Sequence, residues 1–234
     1  MSMTDVTVSY GATLAIEHAT FTVPVGSVMG LIGPNGAGKS TIIKAGLELM
    51  DHTGDVRFFG KPLEEVRRKV AYMPQVAAVD WDYPITVEQV VTMGMYTELG
   101  WLRRANAAHR SRVMEVLDRV GIADLAKRQI SELSGGQRRR VFVARILVQA
   151  PELYLLDEPF AGVDAASERV IRGVLHELRD QGATIVIVHH GLSTVAELCD
   201  HVTILNREII ATGPTNEAFT RENITKAFGL GLLE

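Results

Sequence analysis

Two stretches in the second half of the chain are almost wholly apolar, Leu153-Tyr154-Leu155-Leu156 and Thr184-Ile185-Val186-Ile187-Val188. Runs of this length suit parallel strands covered on both faces. Between them Val170, Val174 and Leu178 fall at helical spacing, with Ile171 and Leu175 beside them. The pattern therefore reads strand, helix, strand. The first thirty residues alternate shorter β-like runs, Val6-Thr7-Val8-Ser9-Tyr10, Phe21-Thr22-Val23 and Val28-Met29-Gly30-Leu31-Ile32, separated by Gly11, Pro24 and Gly26. From about Thr86 to Ala150 helical periodicity takes over: Val113, Val116, Leu117 and Val120 sit at i, i+3, i+4 and i+7. Charge is dense there, at Arg103-Arg104 and from Arg110 to Arg112. The pattern predicts an α/β core interrupted by a helical insertion. The tail from Thr215 to Phe228 reads as polar turns and a short helix, and no internal repeat stands out.

Length and composition narrow this picture. With 234 residues, 47% of them hydrophobic and 22% charged, the chain fits one large α/β domain or a core with a subdomain. These values exclude disordered and collagen-like classes. A formal net charge of −4 gives no electrostatic case for nucleic-acid binding, so no nucleic-acid partner is expected. The lone Cys199 cannot form an intrachain disulfide, which fits a reducing compartment. The uncharged stretch from Ala19 to Gly38 is broken by Pro24, Pro34 and several glycines, so no membrane span is expected. Met1-Ser2-Met3-Thr4-Asp5 lacks a basic region leading into an apolar run, so no signal peptide is expected either. Any membrane role would then come through a partner.

Three motifs carry candidate chemistry. Gly33-Pro34-Asn35-Gly36-Ala37-Gly38-Lys39-Ser40-Thr41 fits G-x-x-x-x-G-K-[ST], between an apolar strand and a helix start. Its glycines let backbone N–H groups close around phosphate oxygens, and helix-start amides add positive potential. Lys39 would supply a charge to the β- and γ-phosphates, and the Ser40 hydroxyl a ligand to Mg²⁺. The bland alternative is a glycine-rich turn without a ligand. The second motif is Leu153 to Leu156 followed by Asp157-Glu158, two acids at the carboxyl end of a buried strand. Asp157 would hold the Mg²⁺ shell and Glu158 would orient or deprotonate the attacking water; alone, such a pair is usually a solvated turn. The third is Leu133-Ser134-Gly135-Gly136-Gln137 ahead of a basic, then apolar helix up to Pro151. It reads either as a second anion site or as a plain helix cap.

With these three motifs together, the chain resembles, over nearly its whole length, the nucleotide-binding subunit of an ATP-binding cassette (ABC) transporter. Gly33 to Thr41 matches the Walker A loop, Leu153 to Glu158 matches Walker B with its catalytic glutamate, and Leu133 to Gln137 matches the signature sequence. Gln75, after Met73-Pro74, resembles the Q-loop glutamine, which the resemblance places in catalysis and near the metal. Tyr10 falls where the family puts an aromatic that stacks on adenine; otherwise it is a strand aromatic filling the core. Ala161-Gly162-Val163-Asp164 resembles the D-loop. Val188-His189-His190-Gly191 stands where the family often has Thr-His-Asp, which puts the γ-phosphate sensor at His190 and leaves His189 where Thr is usual. The stretch Val79-Asp80-Trp81-Asp82-Tyr83-Pro84-Ile85-Thr86-Val87 resembles a loop of the manganese, zinc and iron importer branch, where Trp81 and Tyr83 would anchor a protein contact or pack locally.

The resemblance implies a P-loop NTPase core with an N-terminal antiparallel β subdomain and an inserted α-helical subdomain. The whole of 1–234 would be a single ABC ATPase domain, with 1–85 and 151–234 as the core and approximately 86–150 as the helical signature subdomain. It implies ATP and Mg²⁺ as ligands, and a homodimer closing across two ATP molecules, with Ser134, Gly135, Gly136 and Gln137 meeting the partner's nucleotide. It also implies integral-membrane permease subunits, an extracytoplasmic solute-binding protein acting indirectly, and a place on the cytoplasmic face of the membrane. Adjacent strand residues point to opposite faces, so His189 and His190 are not expected to share a metal. A non-transport ABC ATPase and a non-hydrolysing regulatory module are the competing readings. A GTPase would need an Asn-Lys-x-Asp element, which the sequence lacks.

Overall fold

The computed structural model describes residues 1–75, 83–100 and 104–229. Strands β1 (Ser2–Tyr10) and β2 (Thr13–Thr22) form an antiparallel hairpin. Strand β3 (Val28–Ile32) leads through the glycine-rich loop into helix α1 (Lys39–Gly46). Strand β4 (Thr53–Arg57) pairs with the free edge of β1, giving a small sheet of order β2-β1-β4. Helix α2 (Leu63–Val66) precedes β5 (Val70–Met73). Then come α3 (Val87–Met93), α4 (Tyr96–Leu99), α5 (Ala107–Arg119), 3-10 turns at Ala123–Leu125 and Ile130–Glu132, and α6 (Gly135–Leu147). No strand occurs among the described residues of this stretch. Strand β6 (Leu153–Asp157), helix α7 (Ala165–Asp180), strand β7 (Thr184–Val188) and helix α8 (Leu192–Leu198) follow. Strands β8 (His201–Asn206) and β9 (Glu208–Pro214) and helices α9 (Thr215–Ala218) and α10 (Arg221–Phe228) are the last elements among the described residues.

The larger sheet runs β5-β6-β7-β3-β8-β9, parallel except for β9, which pairs antiparallel with β8. Every residue of β3, β6 and β7 is buried. Successive side chains on a strand point to opposite faces, and here both faces are covered. Met29, Leu31, Leu155, Val186 and Val188 belong to a core with Met3, Val6, Ile16, Phe21, Ile42 and Ile43 of the small sheet and α1. Val28, Ile32, Tyr154, Leu156, Ile185 and Ile187 belong to a second core with Val113, Leu117, Val141, Ile171 and Leu175 from the helices. Each such side chain contributes roughly 1.5–3 kcal/mol when fully buried. The carboxyl ends of the parallel strands, where open α/β sheets bind ligands, carry the glycine-rich loop and Asp157.

Three inserted helices are started by reciprocal caps: Thr86 with Gln89 on α3, Asn106 with His109 on α5, and Ser134 with Gln137 on α6. Several elements differ from the sequence expectation. Strand β2 is far longer than Phe21-Thr22-Val23, because left-handed backbone at His18 (φ 48°), and at Asp5 (φ 55°) on β1, shifts the hairpin register and interrupts the alternation that would have revealed it. The tail folds into two helices, with Ile224 and Ala227 of α10 buried. Strand β7 ends at Val188, so strand alternation does not govern the histidine pair: His189 is buried, His190 is exposed, and their ring centroids lie 5.1 Å apart. Val79, Asp80, Trp81, Asp82 and Arg103 lie outside the described residues. Tyr83 is described and exposed.

Candidate nucleotide-binding and hydrolysis site

Helix α1 starts on Gly38, whose φ of 96° a side chain would oppose, and no side chain caps its first turn. Its leading N–H groups therefore point out of the loop as an anion site. A Cβ on Gly38 would fall 2.3 Å from Ile16 Cδ1, and one on Gly33 would fall 1.9 Å from the Leu205 carbonyl oxygen. The loop is held open from behind: Ala37 N–H donates to Pro34 O at 3.1 Å, and Arg207 N–H donates to Ala37 O at 3.1 Å. Lys39, only 7% exposed, lies back along this loop and donates to the carbonyls of Gly33 and Pro34, both at 2.8 Å. Burial lowers its pKa, and the charges of Glu158 and Asp157 oppose that shift.

Strand β6 delivers two acids to the same place. Asp157 is buried; its Oδ1 accepts from Ser40 Oγ at 3.0 Å, and its Oδ2 has no hydrogen-bond partner. Burial raises its pKa, the Ser40 hydrogen bond opposing. Buried polar atoms are normally paired. A carboxylate oxygen left over beside a hydroxyl is a hard-oxygen set that fits a Mg²⁺-like cation. The chain then turns at Glu158 in left-handed backbone, φ 52°, with its N–H donating to Val188 O at 3.0 Å. This turn brings the Glu158 carboxylate to Gln75, whose Nε2 donates to Oε2 at 3.0 Å, and to His190, whose Nδ1 lies 3.6 Å from Oε1.

Tyr10, Asn35, Gly36, Gly38, Lys39, Ser40, Thr41, Gln75 and Glu158 line one cleft of about 470 Å³. Tyr10 is 54% exposed, so it does not fill the core; its Oη lies 3.3 Å from Thr41 Oγ1. Thr13, Leu14, Ala15 and Arg207 also line the cleft and were not foreseen. Thr13 could have been reached from Tyr10, its partner in the hairpin register. Tyr72 is not among the cleft's lining residues but feels Asp157: burial first, and the nearby Asp157 charge second, push its phenol up to about 12.

Comparison with known proteins decides the family. Residues 16–161 match the family model described as ABC transporter. The chain is 48% identical over 226 residues to the zinc transport system ATP-binding protein TroB of Treponema pallidum, covering 96% of this chain and 85% of that protein. It is 45% identical over 230 residues to the manganese transport system ATP-binding protein MntB of Bacillus subtilis, covering 98% and 92%. Among solved structures it is similar to cbiO1 of Clostridium perfringens, part of the ABC transporter complex cbiONQ, at 27% identity and a TM-score of 0.80 over 99% of this chain and 94% of that one. The chain belongs to the ABC transporter family. It is a nucleotide-binding ATPase on a P-loop core with an antiparallel β subdomain and an inserted helical subdomain.

In this ABC ATPase the signature residues stand apart from the cleft: Ser134, Gly135, Gly136 and Gln137 are not among its lining residues. Ser134 Oγ accepts from Gln137 N–H at 3.3 Å, and Gln137 Oε1 accepts from Ser134 N–H at 2.9 Å, so the helix-cap reading is realised in full. That cap leaves the amides of Gly135 and Gly136 at the helix start, and a helix start can also receive an anion. The signature packs closely on the turn after Glu158. A Cβ on Gly136 would lie 2.3 Å from Asp164 Oδ2 and 2.6 Å from Ser167 Oγ. Asp164 itself caps α7 by accepting from Ser167 N–H and Oγ, both at 2.9 Å. These two hydrogen bonds hold the Asp164 carboxyl below its ordinary pKa. Among the described residues no helix is long and apolar enough to cross a membrane.

Proposed function

We propose that this ATPase powers uptake of a metal ion (manganese, zinc or iron) or of a metal chelate through an integral-membrane permease. The observation that carries the hydrolytic part is the convergence of Gln75 and His190 on Glu158, in the cleft lined by Lys39 and Ser40. The metal cargo rests on the zinc and manganese systems named for the relatives. Neither a non-transport role nor a non-hydrolysing role gains support from them.

In this reading Tyr10 stacks on adenine. The backbone of Gly33, Pro34, Asn35, Gly36, Ala37 and Gly38 cradles the phosphates, and Thr41 closes the cradle on the α1 side. Lys39 supplies charge to the β- and γ-phosphates. Ser40 and Asp157, with Gln75 beside them, would hold Mg²⁺, which when bound neutralises phosphate charge and fixes the terminal phosphate. Glu158 orients or deprotonates the attacking water, worth about 10²–10⁴-fold in rate for a positioned base. Gln75 and His190 hold that carboxylate and sense the γ-phosphate.

The proposed working unit is a homodimer in which Ser134, Gly135, Gly136 and Gln137 of one subunit meet the nucleotide held by Lys39 of the other. Residues of about 86–150 form the helical signature subdomain of the single domain 1–234. Permease subunits hold the pair at the cytoplasmic face of the membrane, and an extracytoplasmic solute-binding protein acts through them. Exposed Tyr83 and Tyr96 are candidate contacts for that permease.

The reading is tested by deleting the gene and by purifying the native protein with its partners. We expect growth of the deletion strain to depend on added manganese, zinc or iron, and an integral-membrane protein to co-purify. A ribosomal or DNA-repair partner, with metal-independent growth, would overturn it.

A further inference from the structure

Arg139 is a buried charge within electrostatic reach of the Glu158 and Asp157 carboxylates. It lies on α6, is 6% exposed, and its Nη1 is buried without a hydrogen-bond partner. Burying a cation is strongly unfavourable unless it is paired and hydrogen-bonded. Burial lowers its pKa, and the charges that oppose the shift are those of Glu158 and Asp157. Among the described residues its guanidinium makes one hydrogen bond, from Nη2 to the Ala161 carbonyl at 3.1 Å.

Ala161 closes the turn that Glu158 opens. Ala161 N–H donates to Glu158 O at 3.1 Å, and Glu158 N–H donates to Val188 O at 3.0 Å. The turn is therefore pinned to β7 at its start and to α6 at its end, with Glu158 between the pins in left-handed backbone. Such a conformation persists only where the surroundings over-determine it. Beyond the second pin, α6 and the same turn are in contact again: Gly136 is closed in by Asp164 and Ser167, and an added Cβ on Gly135 would meet Gly162 O at 3.4 Å.

We propose that Arg139 is a positioning residue for hydrolysis: its hydrogen bond to Ala161 keeps the Glu158 turn aimed at Gln75 and makes α6 and that turn move as one piece. A displacement felt at Ser134 and Gly135 would then reach Glu158 within the same chain. The inference rests on the reading of Glu158 as the residue that handles the water, so the two need separate readouts.

Steady-state ATP hydrolysis by the purified full chain, taken per ATP-binding site, separates them across three substitutions. Arg139→Met keeps volume without donor or charge, Arg139→Lys keeps both on a thinner group, and Glu158→Gln removes the base. We expect Arg139→Met to lower kcat about ten- to a hundredfold, the loss of one hydrogen bond from a charged group, with KM for ATP near wild type. Arg139→Lys should recover part of kcat. Full kcat in Arg139→Met beside an inactive Glu158→Gln would overturn the role of Arg139 alone. Wild-type hydrolysis by Glu158→Gln would overturn the assignment of Glu158 instead. Should Arg139→Met not fold, Arg139→Lys carries the test: kcat and KM changed together, in step with lost folded protein, would make Arg139 merely structural.

Discussion

The Gln75 side-chain amide donates to one oxygen of Glu158 at 3.0 Å, joining the end of β5 to the end of β6 in the cleft that Lys39 and Ser40 line. One consequence concerns charge. Glu158→Gln keeps the shape and can still pair with Gln75, yet it cannot take a proton from water. We expect hydrolysis to fall by about 10²–10⁴-fold, while ATP binding measured by calorimetry in Mg²⁺ stays intact. Gln75→Ala leaves the carboxylate in place but unaimed, and its loss of kcat should be smaller than that of Glu158→Gln.

Two glycines predict opposite outcomes for the same substitution. Gly33→Ala would put a methyl 1.9 Å from the Leu205 carbonyl oxygen, which is backbone and cannot swing aside. The loop must shift, so we expect about 1–3 kcal/mol of destabilisation and a large loss of nucleotide affinity. Gly173 lies in the middle of α7 with nothing within 4 Å of an added Cβ. Gly173→Ala should raise stability by about 0.8–1.0 kcal/mol through helix propensity without touching affinity. Denaturant melts and ATP titrations on both variants check the pair.

The contrast follows what could be read from the sequence. Strands β3, β6 and β7 were legible because burial on both faces writes an unbroken apolar run. The glycine-rich loop and Asp157-Glu158 were legible because each is a local motif joined to such a strand. Strand β4, Thr-Gly-Asp-Val-Arg, is largely exposed and carries almost no pattern; β5, β8 and β9 also went unread. Arg139 and Arg207 were invisible for a different reason. Their partners, Ala161 and Ala37, lie far along the chain, and only the packing of α6 on the turn and of the β8–β9 corner on the loop brings them together. Within a basic run, Arg138-Arg139-Arg140, nothing local says which arginine is buried.

Ser40 and Asp157 make a prediction about the cation. Asp157→Asn keeps the hydrogen bond to Ser40 available but removes the negative charge that a hard cation needs. ATP with Mg²⁺ should raise the melting temperature of the wild type more than ATP with a chelator, since stabilisation by a ligand grows with the logarithm of its concentration over Kd for the folded state. In Asp157→Asn that difference should largely vanish. An undiminished difference would remove Asp157 from the metal site.

His189 predicts an acid limb of stability. It is buried edge-on against Phe160, with ring centroids 5.4 Å apart, and its Nδ1 has no partner. Burial, followed by the neighbouring His190, pushes its pKa from 6.5 down to about 4; Glu168 and Glu158 oppose the shift and Arg172 adds to it. The folded chain thus holds the ring neutral where the unfolded chain would protonate it. Above about pH 6.5 neither state binds the proton and His189 leaves stability independent of pH. As pH falls from 6.5 toward 4 the unfolded state gains protons first, so stability drops by up to about 1.4 kcal/mol per unit, levelling off once the folded ring also protonates. In His189→Thr this contribution should disappear, and melting temperatures recorded between pH 7 and pH 4 should fall less steeply than in the wild type. Equal slopes would show that the acid limb belongs to other groups.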